Sequence, residues 1–181
     1  MCRWLAYSGS PVSIETLLFK PEHSLIDQSL HSKLGATTTN GDGFGIGWYG
    51  IGSSPGVFHS TEPAWNDRNL RELSRHIRSH LVFAHIRASS GSPVQQTNCH
   101  PFRYGRRLWM HNGVIRDFHK LKRDLVLAID PELYPFVEGS TDSETLFYLA
   151  ETFGLEEDAP QAGGWNGGEA RRCAVEHRTR E

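Results

Sequence analysis

Residues of five types stand in this sequence at places where they could act together on a carbonyl group. Cys2 lies directly behind the initiator methionine. A small residue in second position favours removal of Met1, which leaves Cys2 with a free α-amino group on the carbon that carries its thiol. Such an amine can serve as the base for its own side chain, directly or through water, so no separate histidine is needed. Reference pKa values of about 7.7 to 8.0 for the amine and about 8.5 for the thiol allow proton exchange near neutrality. An attacked carbonyl then needs an oxyanion hole. Asn112 and Gly113 of "MHNG" offer a side-chain amide and an uncovered backbone N–H for it.

A small substrate carrying both a carboxylate and an ammonium needs one cation and one anion. Arg87 of "HIRAS" can grip a carboxylate with two parallel bonds, and Asp142 of "STDSE" can accept from an ammonium near a helix start. Each residue also has a plainer reading. Cys2 is a small residue on a first strand. Asn-Gly is a hairpin signal. Arginines are mostly solvated surface charges, and an Asp before a helix is commonly its cap.

The elements that must position these groups are visible in coarse outline. "CRWLAYSG", "DGFGIGWYG", "LVFAHIRAS" and "RRLWMHNGVI" have the aromatic and aliphatic content of strands. In "DRNLRELSRHI", Leu70, Leu73 and Ile77 recur at helical spacing, as Phe118, Leu121 and Leu125 do in "DFHKLKRDLVLAI". A third helix starts near Asp142, where Ser140, Thr141 and Asp142 can cap free N–H groups and Glu144 suits the positive first turn. Leu146, Phe147, Ala150 and Phe153 form its apolar face. Antiparallel strands with helices grouped after them predict an α+β fold.

Bulk properties narrow the classes. The 181 residues fit one domain, and a net charge of -2 gives no electrostatic case for nucleic acid. Three cysteines, Cys2, Cys99 and Cys173, form no CxxC pair, which argues for a reducing, cytoplasmic compartment. No stretch approaches the roughly 18 apolar residues of a membrane span. Gly45, Gly47 and Gly50 fit G-x-G-x-x-G, but "IGSSPG" follows where a dinucleotide site needs a helix. His85, His100 and His111 sit on separate motifs without zinc spacing, so no metal and no cofactor is expected.

Taken in order, Cys2, "NGDGFGIGWY" at 40–49, "HIRAS" at 85–89, "NCHPF" at 98–102, "MHNG" at 110–113 and "TDSE" at 141–144 resemble the class II glutamine amidotransferases, in particular their short stand-alone members. The resemblance implies a four-layer αββα sandwich of two antiparallel sheets, the fold of hydrolases with an N-terminal nucleophile. It implies Cys2, Asn112 and Gly113 as catalytic residues, with Arg87 and Asp142 on the α-carboxylate and α-ammonium of glutamine or a γ-glutamyl amide. A γ-glutamyl thioester would form, ammonia or an amine would leave, and water would release glutamate. His100 belongs to a family motif without a catalytic role. A separate subunit that uses the ammonia is compatible with this chain, which has no room for a synthase domain.

Residues 1–161 are expected to form the glutaminase domain, incomplete at its C-terminus, and 162–181 an atypical, disordered tail. That tail has four glycines, clustered arginines and almost no aliphatic side chains. It reads either as an ordinary flexible end or as the product of a lost reading frame. The non-enzymatic alternative is a truncated, inactive copy that at most binds a γ-glutamyl ligand or a partner.

Overall fold

The computed structural model describes residues 2–31, 39–89 and 91–155; the predicted tail at 162–181 lies outside the described residues. The chain divides into two compact units, Met1–Met110 and His111–Glu181.

The first unit is built on strands β1 (Arg3–Ser13), β2 (Phe44–Trp48), β3 (Gly56–Ser60) and β4 (Arg78–Ile86), all antiparallel and ordered β1-β4-β2-β3. Three helices, α1 (Ile14–Leu18), α2 (Leu25–Leu30) and α3 (Arg68–His76), are threaded between these strands rather than grouped after them. Strand β2 has two unlike faces because side chains alternate along it. Phe44 and Ile46 join Val82, Ala84 and Ile86 of β4 in a core with Ile14, Leu18, Leu25, Ile26 and Leu70 of the helices. Burying each of these side chains larger than that of Ala84 stabilises the fold by about 1.5–3 kcal/mol.

The opposite face is kept bare by glycine so that another layer can approach. A Cβ at Gly45 would overlap the His100 carbonyl oxygen, and one at Gly47 would lie 2.7 Å from both Leu108 and Pro101. That layer is the hairpin of β5 (Phe102–Tyr104) and β6 (Arg107–Trp109), a second antiparallel sheet. His85, opposite Gly45 on β4, stacks on His100 at 4.3 Å, and His100 on Phe102 at 4.5 Å. Two antiparallel sheets with helices make the fold α+β, as the sequence predicts.

In the second unit, α4 (Phe118–Leu127) and α5 (Asp142–Thr152) form where the hydrophobic spacing places them. The apolar face predicted for α5 needs correction. Ser143–Thr145 and Phe147–Ala150 are buried, whereas Phe153 is 50% exposed. The helix ends at Thr152, so Phe153 lies past its last turn and Gly154 turns the chain away with φ +85°. The strand predicted through "RRLWMHNGVI" also stops early, at Trp109. Asn112-Gly113 therefore lies in an irregular segment and not in a hairpin turn. No helix among the described residues is long and apolar enough to cross a membrane.

Candidate catalytic site

Antiparallel pairing of β1 with β4 puts Arg3 opposite Ile86 and carries Cys2 to the chain that leaves β4. The Ala88 N–H donates to Cys2 Sγ at 3.3 Å, and the thiol reaches the Ala88 carbonyl oxygen at 3.5 Å. Cys2 stays partly accessible. The other described thiol is different: Cys99 is 0% exposed, and burial pushes it up to about 11 against a smaller opposing pull from the Arg87 charge. A thiol in that state is a poor nucleophile near neutrality. Cys173 lies outside the described residues.

Arg87 follows the end of β4 and is only 3% exposed, which excludes the solvated-surface reading. One arm of its guanidinium donates to the Asp42 carbonyl at 3.3 Å. The other meets Ser89 Oγ at 3.1 Å, Ser92 Oγ at 2.6 Å and the Ser92 carbonyl at 3.2 Å. A planar donor fork held on several sides has a fixed orientation, the property that recognition of a carboxylate needs.

In the second unit, the N-terminus of α5 organises the loop that carries Asn112 and Gly113. Thr141 is the cap, accepting the Glu144 N–H at 3.2 Å, and Asp142 is the first helical residue rather than the cap. Asp142 Oδ1 accepts the N–H of Ser143 at 2.8 Å, while Oδ2 accepts that of Ile115 at 2.7 Å. The second bond ties the helix to the segment just after Asn112-Gly113. A further tie runs from His111 Nδ1 to Ser143 Oγ at 2.9 Å. The His111 ring lies so close to Gly113 that a Cβ there would be 2.5 Å from Nε2. Gly113 is thus required by a close approach. Asn112 and Gly113 are both exposed, leaving their N–H groups on an accessible loop.

The structure thus brings Cys2 and Arg87 together in the first unit, and Asn112, Gly113 and Asp142 in the second. Several supporting residues escaped the sequence reading: Asp42, Ala88, Ser89 and Ser92 around the first group, His111 and Ser143 around the second. Their signal was weak because serine and aspartate in glycine-rich runs are also ordinary turn residues.

Glu144 does more than suit a helix start. Its carboxylate accepts the N–H of Glu138 at 2.9 Å and of Gly139 at 2.8 Å, holding the approach to α5. Burial raises its pKa, opposed by those two N–H bonds and by Lys122, with the charge of Glu138 raising it further. A raised native value means that stability from this titration is full below the ordinary carboxylate range and is lost as pH climbs through the native value. Glu144→Ala leaves two N–H groups without their acceptor and should lower stability by about 1–3 kcal/mol. Denaturant midpoints would show this, and an unshifted midpoint would refute it.

Comparison with known proteins gives a consistent picture. The family described as "Glutamine amidotransferases class-II" matches residues 20–160. Over 158 residues the chain is 43% identical to the probable glutamine amidotransferase DUG3 of Saccharomyces cerevisiae, covering 82% of this chain and 44% of that protein. It is 33% identical over 119 residues to the gamma-glutamyl-hercynylcysteine sulfoxide hydrolase of Mycobacterium tuberculosis, covering 64% of this chain and 50% of the other. A glutamine aminotransferase class-II domain protein from Silicibacter pomeroyi superposes with a TM-score of 0.68 at 34% identity, covering 90% of this chain and 59% of that one. The chain spans about half the length of the curated relatives it matches.

Proposed function

Since the chain belongs to the class II glutamine amidotransferases, we propose that it hydrolyses the side-chain amide of glutamine, or of a related γ-glutamyl amide, through a thioester on Cys2. The observation that carries this reading is the seat of Cys2 Sγ on the two peptide groups flanking Ala88, next to the buried and oriented Arg87. Removal of Met1 frees the α-amino group of Cys2, which takes the thiol proton as sulfur bonds to the γ-carbonyl carbon. The oxygen gains the carbonyl electron pair and is held by the Asn112 side-chain amide and the Gly113 N–H. Collapse expels the amine with that proton. Water then adds to the thioester with the same amino group as base, and glutamate leaves as sulfur regains its proton.

Arg87 holds the substrate α-carboxylate and Asp142 its α-ammonium. Asp142 Oδ1 accepts the N–H and, at 3.4 Å, the hydroxyl of Ser143, and Oδ2 accepts only the Ile115 N–H; a carboxylate has about four lone-pair sites in all, so the residue can be fixed in place and still receive a ligand on Oδ2. Likeness to the mycobacterial gamma-glutamyl-hercynylcysteine sulfoxide hydrolase supports widening the substrate from glutamine to amides with a larger leaving group.

Glutamate release from glutamine and from γ-glutamyl amides by homogeneous protein beginning at Cys2 tests the reading; no release from any of them would sink it. Asp142→Asn separates binding from chemistry. Losing one charged hydrogen bond is worth about 1.5–3 kcal/mol, so KM for glutamine should rise roughly tenfold or more. Alkylation of Cys2 should persist in the variant, while its protection by glutamine weakens. Equal protection in both proteins would leave Asp142 with only its structural role.

A further inference from the structure

Both peptide groups that seat the Cys2 sulfur end on one residue, which the reaction above does not use. The peptide joining Arg87 to Ala88 offers its N–H to Cys2 Sγ, and its carbonyl accepts the Asp42 N–H at 3.3 Å. The peptide joining Ala88 to Ser89 offers its carbonyl to the thiol, and its N–H donates to Asp42 Oδ2 at 2.7 Å. Asp42 also accepts one arm of Arg87 on its own carbonyl. Register makes this possible: Phe44 pairs with Ile86, and the ladder continues as Arg87 N–H to Gly43 oxygen at 2.9 Å.

We propose that Asp42 is a positioning residue for the nucleophile, setting the two peptide planes between which the Cys2 thiol is held. The proposal rests on reading Cys2 as the nucleophile. A peptide group bonded at one end is polarised at the other, so a carboxylate on Ser89 N–H strengthens Ala88 oxygen as the acceptor of the thiol proton. It also fixes the sulfur laterally, and small misplacements of a reacting atom are costly. Asp42→Ala keeps the backbone bond to Arg87 and removes only the carboxylate. Arg87 and Arg3, whose guanidinium donates to the Cys2 carbonyl at 3.3 Å, remain as neighbouring cations.

The test follows glutamate release together with Cys2 alkylation by iodoacetamide as a function of pH, located by peptide mapping. For Asp42→Ala, kcat should fall about tenfold or more with KM within about threefold, and the alkylation profile should move to lower pH because the thiol proton is held less strongly. Asp42→Asn keeps an oxygen in reach of Ser89 N–H and should recover kcat to within about threefold of the parent. A folded Asp42→Ala protein with the parent's alkylation profile overturns the proposal, as does an Asn variant no better than Ala. If Asp42→Ala does not fold, Asp42→Glu displaces the oxygens by one methylene and should still cut kcat; parental kcat in that variant is equally fatal. If the parent hydrolyses nothing while the alkylation profile still shifts, the nucleophile reading fails and the coupling of Asp42 to the thiol stands.

Discussion

Asn112→Ala should release glutamate about 10² to 10³ times more slowly than the parent, with little change in KM and no loss of fold. One oxyanion donor is worth about 2.7 to 4 kcal/mol in comparable sites, and it acts on charge that exists only in the transition state. The fold should tolerate the change because Asn112 is exposed and its loop is held by other groups. Ile115 N–H is bonded to Asp142, and His111 is bonded to Ser143. Gly113 cannot be tested as cleanly: any side chain there meets the His111 ring, so lost activity would mix a blocked N–H with a displaced loop. Kinetics with thermal melting separate the two for Asn112. Parental turnover in a folded Asn112→Ala protein removes the residue from the oxyanion hole.

The strands and helices that the sequence announces are those with enough length for a period. β1, β2 and β4 show alternating or continuous apolar character, and α3 to α5 repeat apolar residues over about three turns. α1 and α2 have five and six residues, too few for a helical repeat. Their signals were the caps instead: Ser13 accepts from Thr16 N–H, and Ser24 from Asp27 N–H. β3 is legible only through its pairing with β2, since "GVFHS" by itself carries no pattern.

The candidate site divides along the same line. Cys2, Arg87, Asn112, Gly113 and Asp142 could be named because their chemistry is distinctive and the motifs around them are ordered. What orients them was not legible, since Asp42 and Arg87 are joined across 45 residues by strand register. Asp142 shows how local chemistry can mislead. Its sequence position equally permits a cap, and the structure gives that task to Thr141, freeing the Asp142 carboxylate for Ile115 and Ser143. The Asn-Gly pair likewise has the composition of a hairpin turn, while the hairpin that forms is β5–β6, before the pair.

The largest effect expected lies at the N-terminus. Protein that keeps Met1, or carries any N-terminal tag, should hydrolyse no glutamine, because the nitrogen of Cys2 is then an amide without a basic lone pair. The thiol survives that change. Its seat on the Ala88 peptide groups involves only Sγ, so the blocked protein should fold and still react with a neutral alkylating agent at Cys2. Cys99 is buried and should not contribute to that reaction. Cys2→Ser should also lose turnover, but for a different reason: a hydroxyl near neutral pH has almost no anionic population and is a far weaker nucleophile than a thiol. The two defects are distinguishable, because cleaving a tag to expose Cys2 restores activity to the first protein and cannot restore it to the second. Intact mass fixes the N-terminus of each sample, and glutamate release reads its activity. Full turnover in a homogeneous preparation that retains Met1 would contradict the α-amino group as base and return Cys2 to a small residue beside β1.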